Sequence, residues 1–244
     1  IRAIYEQYGA ICGDLHTDLH ECVGHGSGKL MPGVTKDALK EHASTIEEAR
    51  ADLFGLYYLA DPKLVELGLL PNREAYKAGY YQQMMNGAMT QLVRIEEGKD
   101  VEEAHMRNRQ LIANWVLEHA NGEMEIIERD GKHYLRINDY EGVRRLFGEL
   151  LAEIQRITSE GDYPAAKEMV EKYAVKVNPE LHKEIRERYA KLNLAPYKGF
   201  VNPVYTAIKD ADGNITDVKI DFTEGYIEQH LRYSRYYSPL PDVN

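Results

Sequence analysis

The stretch that decides the fold is His20-Glu21-Cys22-Val23-Gly24-His25. Two histidines with a glutamate directly after the first are typical of the zinc-binding helix H-E-x-x-H, here with one additional residue. In the ordinary motif the histidines are four apart, share one helix face and bind one metal ion. On a regular helix, at about 100° per residue, these two would point roughly 140° apart. The spacing therefore predicts a turn widened by one residue, a π-bulge, which Gly24 permits.

The residues around the motif predict an amphipathic helix. Leu15, Leu19, Cys22 and Val23 fall within roughly 100° of one another on a helical projection. They lie nearly opposite the sector that holds the two histidines and the glutamate between them. We therefore expect one face to pack into a core and the other to present metal ligands.

Composition limits the class of protein. The chain has 244 residues, 43% hydrophobic and 29% charged, as in an ordinary globular protein of one large or two small domains. Its net charge of −10 argues against partners such as nucleic acid or an anionic membrane. It has no apolar run of about 18 residues and no visible signal peptide, so we expect a cytoplasmic protein. Cys12 and Cys22 are too few for a disulfide scaffold and are expected to be buried free thiols.

Hydrophobic periodicity predicts a mainly α fold with two peripheral β-hairpins. The first hairpin is expected around the turn Asp130-Gly131 and the second around 210–214. The acidic 210–214 segment lacks the distal glutamate of an EF-hand calcium loop, which favours a hairpin turn. The segment 195–203 and the Pro-containing tail are expected to be irregular. Helices are expected over 1–13, from Asp14 through the histidine motif, and over 36–60, 62–69, 72–97, 101–120, 141–159, 162–173, 179–193 and a short stretch from Thr223.

A third metal ligand is expected on the helix over 36–60. A catalytic zinc takes three protein ligands and leaves one position for water. Of the adjacent pair Glu47 and Glu48, one carboxylate can bind the metal and the other can accept a hydrogen bond from the far nitrogen of a ligand histidine. Asp52 lies one turn after Glu48 and can play the same supporting part. The alternative is an exposed acidic patch.

Three segments together resemble the dipeptidyl peptidase III family. The segment from His20 to Leu30 is similar to that family's HEXXGH motif, and Glu47-Glu48-Ala49-Arg50-Ala51-Asp52 is similar to its second motif, E-E-C-R-A-E. Ala104-His105-Met106-Arg107-Asn108-Arg109 resembles an A-H-M-x-x-R segment on a later helix. The resemblance extends from about 14 to 116. Ala49 in place of Cys and Asp52 in place of Glu depart from the pattern.

The resemblance implies a role for each matching residue. His20, His25 and Glu48 would bind one zinc ion, and Glu21 would be the general base that activates the bound water. Glu47 would support a ligand histidine, His105 would stabilise the transition state, and Arg109 would line the substrate site.

The resemblance also bears on domain organisation. The family has two lobes with the substrate cleft between them, and this chain corresponds to the zinc-bearing helical lobe. Residues 1–244 are therefore expected to form a single catalytic lobe, a fragment of a longer enzyme whose N-terminal lobe is absent. The short segment between His25 and Glu48 resembles the bacterial members.

The function expected from these features is a zinc-dependent exopeptidase that releases N-terminal dipeptides from oligopeptides. Two alternatives stay open: a non-catalytic, zinc-stabilised helical binding domain, and a zinc-free helical interaction domain. His16, four residues before His20, is an alternative ligand at regular helical spacing, but Thr17 follows it where a base is needed. We therefore expect His16 to support the site or to lie on the surface.

Overall fold

The computed structural model describes residues 1–194 and 201–237, so most of the expected irregular segment 195–203 and the Pro-containing tail lie outside the described residues. The chain divides into two compact units, Ile1–Leu192 and Asn193–Asn244. The sequence predicts a single lobe over residues 1–244 and does not predict this division into two units. The site predicted from the sequence lies entirely in the first unit.

The first unit begins with one continuous helix. Helix α1, Arg2–Leu19, runs directly into a π-helical turn, His20–His25. The expected break at Gly13 and the expected cap at Asp14 are therefore wrong. A glycine inside a helix costs about 1 kcal/mol relative to alanine, and packing of α1 against neighbouring helices outweighs a preference of that size.

Helix α2, Ala43–Leu59, is the centre of the first unit. Ile46, Leu53 and Leu56 are fully buried, and α2 packs against α1, the π-helical turn and two later helices. The helix begins later than expected, because a 3₁₀ turn, Lys40–His42, precedes it. A helix buried nearly all round positions its few polar side chains rigidly.

The next helices close around α2. Helix α3 is Pro62–Glu66, capped by Asp61, helix α4 is Tyr76–Ala88, and helix α5 is Ala104–His119. The single helix expected over 72–97 is shorter, since Met89 leaves the helical conformation and a 3₁₀ turn, Thr90–Arg94, follows. Gly87 lets α4 approach α5 closely, because a Cβ there would lie 2.2 Å from the carbonyl oxygen of Arg109.

A hairpin and three helices complete the first unit. Strands β1, Met124–Arg129, and β2, Lys132–Ile137, pair antiparallel. The expected turn is confirmed: Asp130 and Gly131 have φ of 53° and 65°, and two positive φ angles are what a type I′ turn requires. The remaining elements are α6, Tyr140–Glu160, α7, Tyr163–Val170, a second π-helical turn, Glu171–Val175, and α8, Pro179–Ala190.

The second unit contains the second hairpin and a helix. Strand β3, Val204–Lys209, pairs with β4, Ile215–Asp221, and helix α9 is Tyr226–Tyr237. The Asp210 carboxylate accepts hydrogen bonds from the backbone of Asp212 and Asn214, as in a hairpin turn. The mainly α fold with two small hairpins is confirmed. In the described part of the chain no helix is long and apolar enough to cross a membrane.

Candidate metal centre

The widened helical turn predicted from the histidine spacing is present. His20–His25 is a π-helix, and the ring centroids of its two histidines are 4.7 Å apart. Gly24 has a second reason to be glycine besides the one inferred from the sequence. A Cβ at Gly24 would lie 2.7 Å from Cα of Ala51, so only glycine lets the π-helix lie against α2 this closely. The widened turn thus brings both histidines over α2.

The predicted apolar face is wrong at Cys22, which is exposed, whereas Cys12 is a buried free thiol as expected. The residues of the turn that are buried are His20 and Gly24. The projection that placed Cys22 in the core assumed a regular helix, and the extra residue in the turn changes which side chains face the neighbouring helix. Burial raises the pKa of the Cys12 thiol.

The carboxylate of Glu48 lies between the two histidines. Its Oε2 is 3.4 Å from Nε2 of His20 and 3.9 Å from Nε2 of His25. One ligand atom from each of these three residues lies within 4.8 Å of the others. Oε2 of Glu48 is buried and has no hydrogen-bond partner. A buried polar atom without a partner costs about 1–3 kcal/mol, more for a charged group, so the three groups fit a bound cation.

Each histidine is oriented by a second carboxylate from α2. Nδ1 of His20 lies 2.8 Å from Oδ1 of Asp52, and Nδ1 of His25 lies 2.9 Å from Oε1 of Glu47. A carboxylate only accepts hydrogen bonds, so Nδ1 is the donor in both pairs. Nε2 of each ring is therefore left to bind a metal, as in the carboxylate–histidine–metal arrangement. Glu47 and Asp52, the residues predicted to support a ligand histidine, are the acceptors of these two hydrogen bonds.

Burial and charge act in opposite directions on these groups. Burial lowers the pKa of His20, but the hydrogen bond and charge of Asp52 and the charge of Glu48 outweigh it and leave that pKa raised. Burial raises the pKa of Asp52, and the hydrogen bond of His20 with the charge of His16 leaves it below its ordinary value. Asp52 is therefore a carboxylate at neutral pH.

His16 supports the site and is not one of the three converging groups. Its Nε2 lies 3.2 Å from the backbone oxygen of Asp52. Burial lowers the pKa of His16, with opposing contributions from the charge and backbone oxygen of Asp52. Gly55 makes room for this ring, because a Cβ there would lie 2.8 Å from its Cδ2. His16 thus packs α1 on α2 beside the site.

The other predicted residues face one cavity. A cavity of about 440 Å³ is lined by residues of α1, the π-helix, α2, α4 and α5. The predicted site residues among its walls are His20, Glu21, Asp52, His105 and Arg109. His25 and Glu47 line a separate cavity of about 580 Å³. The two histidines of the candidate metal site therefore border different cavities.

His105 approaches the metal-binding group from α5. Its Nε2 lies 3.5 Å from Oε2 of Glu48, and its side chain is 54% exposed. Its Nδ1 lies 2.7 Å from Oε1 of Glu103, the N-cap of α5, which also accepts from the backbone N–H of His105. Burial raises the pKa of Glu103, but these hydrogen bonds outweigh it and lower that pKa overall.

Three supporting residues had no predicted role. Glu103 orients His105. Its position as an acidic residue directly before a helix could have predicted that it interacts with the first turn of that helix. Gln83 on α4 donates from Nε2 to Oδ2 of Asp52 at 3.1 Å, and nothing distinguishes it in the sequence. Arg50 donates to both carboxylate oxygens of Glu47, although its place in the second motif suggested no partner.

Taken together, these features define a mainly helical domain with a candidate single-metal centre and a glutamate beside it. Comparison of the sequence with known families then identifies it further. The profile described as peptidase family M49 matches residues 32–231, more than half of the chain. The chain belongs to peptidase family M49. The match includes the carboxylates of α2 and the residues of α5, and it begins after the π-helix.

Individual relatives agree with the family. Dipeptidyl peptidase 3 of Mus musculus is 27% identical over 203 residues, covering 66% of this chain and 27% of the mouse protein. The structure of DPP III from Caldithrix abyssi matches with a TM-score of 0.54 at 27% identity, covering 71% of this chain and 31% of that one. The dipeptidyl-peptidase III of Corallococcus sp. strain EGB matches with a TM-score of 0.54 at 25% identity, covering 72% and 31%. The predicted resemblance to the dipeptidyl peptidase III family is confirmed, and the chain spans less than a third of these relatives.

Proposed function

We propose that this chain is the metal-bearing part of a zinc-dependent exopeptidase that releases dipeptides from the N-termini of oligopeptides. The observation that carries the proposal is the buried, unpartnered Oε2 of Glu48 facing Nε2 of His20 and of His25. Membership of a peptidase family supports hydrolysis of peptide bonds, and the names of the relatives support the dipeptide product.

The proposed ligands are His20, His25 and Glu48. Two imidazoles and one carboxylate are a frequent ligand set for catalytic zinc, and three protein ligands leave one position open. A bound zinc ion supplies a water of pKa about 7 and polarises the carbonyl of the scissile bond. Asp52 and Glu47 hold the two rings in the tautomer and direction that this binding needs.

Glu21 is the proposed general base. It follows His20 directly in the π-helix, its side chain is exposed, and it lines the cavity that His20 also lines. A carboxylate in this place can take a proton from the attacking water and pass it to the leaving amine.

His105 and Arg109 are proposed to act on the substrate from α5. Both line the same cavity as Glu21. When its ring is protonated, His105 keeps one N–H on Glu103 and directs the other, on Nε2, toward the oxygen that becomes negative in the transition state. Such a donor contributes about 3 kcal/mol. Arg109, one turn on, provides a positive charge for a carbonyl or carboxylate oxygen of the peptide.

The N-terminal lobe of the same enzyme is proposed as the partner of this chain. The relatives are more than three times as long as the parts of them that match. We expect the 244 residues alone to bind zinc and to show little peptidase activity.

A cytoplasmic location is part of the proposal, and cell fractionation tests it.

Zinc analysis combined with a Glu21→Ala variant tests the proposed function. In a protein that joins this chain to the proposed N-terminal lobe, Glu21→Ala should keep one zinc ion and lose turnover of a dipeptidyl arylamide. Zinc-loaded wild type without turnover would favour a non-catalytic zinc-stabilised domain, and equal turnover of wild type and variant would remove Glu21 from the proposed mechanism. Full activity from the 244 residues alone would contradict the need for a second lobe.

A further inference from the structure

Arg50 is a buried cation with several partners in the metal centre. It is 2% exposed and lies one turn after Glu47 on α2. Its Nε and Nη2 donate to Oε2 and Oε1 of Glu47 at 2.9 and 2.7 Å. Nη2 also donates to the carbonyl oxygen of Gly24 at 2.8 Å, and Nη1 donates to Oγ of Ser27 at 3.1 Å. One guanidinium thus joins α2 to the last turn of the π-helix and to the loop after it.

The contact with Glu47 fixes a side chain that is otherwise free to move. The Glu47 side chain is 37% exposed. A bidentate arginine–carboxylate pair restricts the carboxylate to one plane. Oε1 of Glu47 accepts from both Arg50 and Nδ1 of His25, so the orientation of the carboxylate sets the direction of that imidazole.

The contact with Gly24 acts on the backbone of the π-helix. The Gly24 carbonyl accepts from Arg50 and from the Ser27 hydroxyl, which is 3.0 Å away. It is the carbonyl directly before His25, so holding it limits the movement of that residue. Arg50 therefore restrains His25 twice, through Glu47 and through the backbone.

We propose that Arg50 is a positioning residue that sets the metal affinity of the site by holding His25 toward Glu48. The proposal rests on the metal site proposed above. It goes beyond it in naming a residue that touches neither metal nor substrate and yet determines how tightly the metal is held.

Metal titration of the 244-residue chain tests this proposal without any need for turnover. Zn²⁺ and Co²⁺ affinities are measured against a competing chelator, and the visible spectrum of bound Co²⁺ reports the ligand geometry. Arg50→Met keeps most of the side-chain volume and removes the guanidinium group that donates to Glu47. It should weaken metal binding about 10–100-fold, the range for loss of a residue that orients a ligand. Arg50→Lys keeps the positive charge but cannot make the bidentate contact of a planar guanidinium, and it should recover only part of the affinity.

A double-mutant cycle separates positioning from general destabilisation. If Arg50 acts largely through Glu47, Arg50→Met combined with Glu47→Gln should weaken binding much less than the product of the two single effects. Arg144→Met is the matched control, because Arg144 on α6 donates to the backbone oxygen of Tyr57 on α2 and has no bond to the metal centre among the described residues. The control should lower the melting temperature and leave metal affinity unchanged.

The outcomes distinguish the positioning role of Arg50 from the proposed metal site on which it rests. Wild type without stoichiometric metal would overturn the metal site, and Arg50 positioning with it. Wild-type metal binding that Arg50→Met leaves unchanged would overturn the Arg50 proposal alone. Fully multiplicative effects in the cycle would overturn the route through Glu47 and leave the contact with the Gly24 carbonyl as the one that positions His25. If Arg50→Met does not fold, Arg50→Lys takes its place in the same cycle with the same two outcomes.

Discussion

Gly24 of the π-helix lies against Ala51 of α2, where an added Cβ would be 2.7 Å from Cα and 2.9 Å from the carbonyl oxygen. Both near atoms belong to the backbone, so neither can turn away. This contact holds the histidine pair over Glu48.

Gly24→Ala should therefore destabilise the protein by about 1–3 kcal/mol, the usual effect of overpacking a close contact. Urea unfolding of the metal-free chain measures it. Gly13→Ala is the matched control in the preceding helix, since its Cβ would meet only Gln82, at 4.0 Å. That control should stabilise by about 0.5–1 kcal/mol. Equal effects of the two substitutions would show that the close contact has no energetic weight.

Asp52→Asn should weaken zinc binding about 10–100-fold, because it removes the charge that orients His20 through Nδ1. Chelator competition on the 244-residue chain measures the change. Asp61→Asn serves as the control, since that residue caps α3 beyond the C-terminal end of the same helix. It should leave zinc affinity as in wild type and change stability little, because asparagine caps a helix about as well as aspartate. Unchanged affinity in Asp52→Asn would remove Asp52 from the site.

His105→Phe should reduce kcat of the proposed two-lobed enzyme about 100–1,000-fold, as loss of one oxyanion donor does. Its zinc content should stay at one per chain, since His105 is not among the three converging groups. His119→Phe, on the last turn of the same helix, is the comparison and should keep its activity. A variant at position 105 that loses zinc and activity together would make His105 a ligand.

Stability in acid should depend on Glu184, which joins α8 to β2. Burial raises the pKa of this carboxyl, but hydrogen bonds from His133 and Arg188 outweigh it and leave the pKa lowered. A lowered folded pKa means that the contribution is present above the unfolded value of about 4.3 and is lost as pH falls through the folded value.

Glu184→Gln should therefore reduce the free energy of unfolding near neutral pH and make it fall less steeply below about pH 4.3. Urea unfolding over that range measures both effects. Glu187→Gln, at an exposed position of the same helix, should change neither. Parallel pH profiles of the unfolding free energy for wild type and Glu184→Gln would show that the contacts of Glu184 with His133 and Arg188 do not stabilise the folded state.

The spacing of the metal ligands could be predicted from the sequence because the chemistry restricts it. One metal requires His20 and His25 to converge, and a five-residue separation allows that only on a widened turn. The same reasoning predicted acidic residues of the next long helix as partners. In the structure Glu47 and Asp52 accept hydrogen bonds from the two histidines, and a carboxylate oxygen of Glu48 lies within 4.8 Å of a ring nitrogen of each. Requirements of a site are visible in a sequence when they act between few residues of rare type.

Other features depend on packing that a periodicity does not contain. The exposure of Cys22 follows from the rotation introduced by the π-helix, and the continuity of α1 through Gly13 follows from its neighbours. Arg50 and Gln83 are ordinary helical residues until α2, the π-helix and α4 meet. The pairing of Arg50 with Glu47 is local, but the contact of Arg50 with Gly24 and that of Gln83 with Asp52 join residues far apart in the chain, and no local pattern predicts them.

The proposed metal site is tested by the zinc content of the 244-residue chain after dialysis, for wild type, Glu48→Gln and Glu21→Ala. We expect one zinc per chain in wild type and in Glu21→Ala, and substoichiometric zinc in Glu48→Gln. A chelator should lower the melting temperature of the two loaded proteins, because metal that binds only the folded state stabilises it. Wild type without zinc, or Glu48→Gln with as much zinc as wild type, would contradict the proposed metal site of His20, His25 and Glu48.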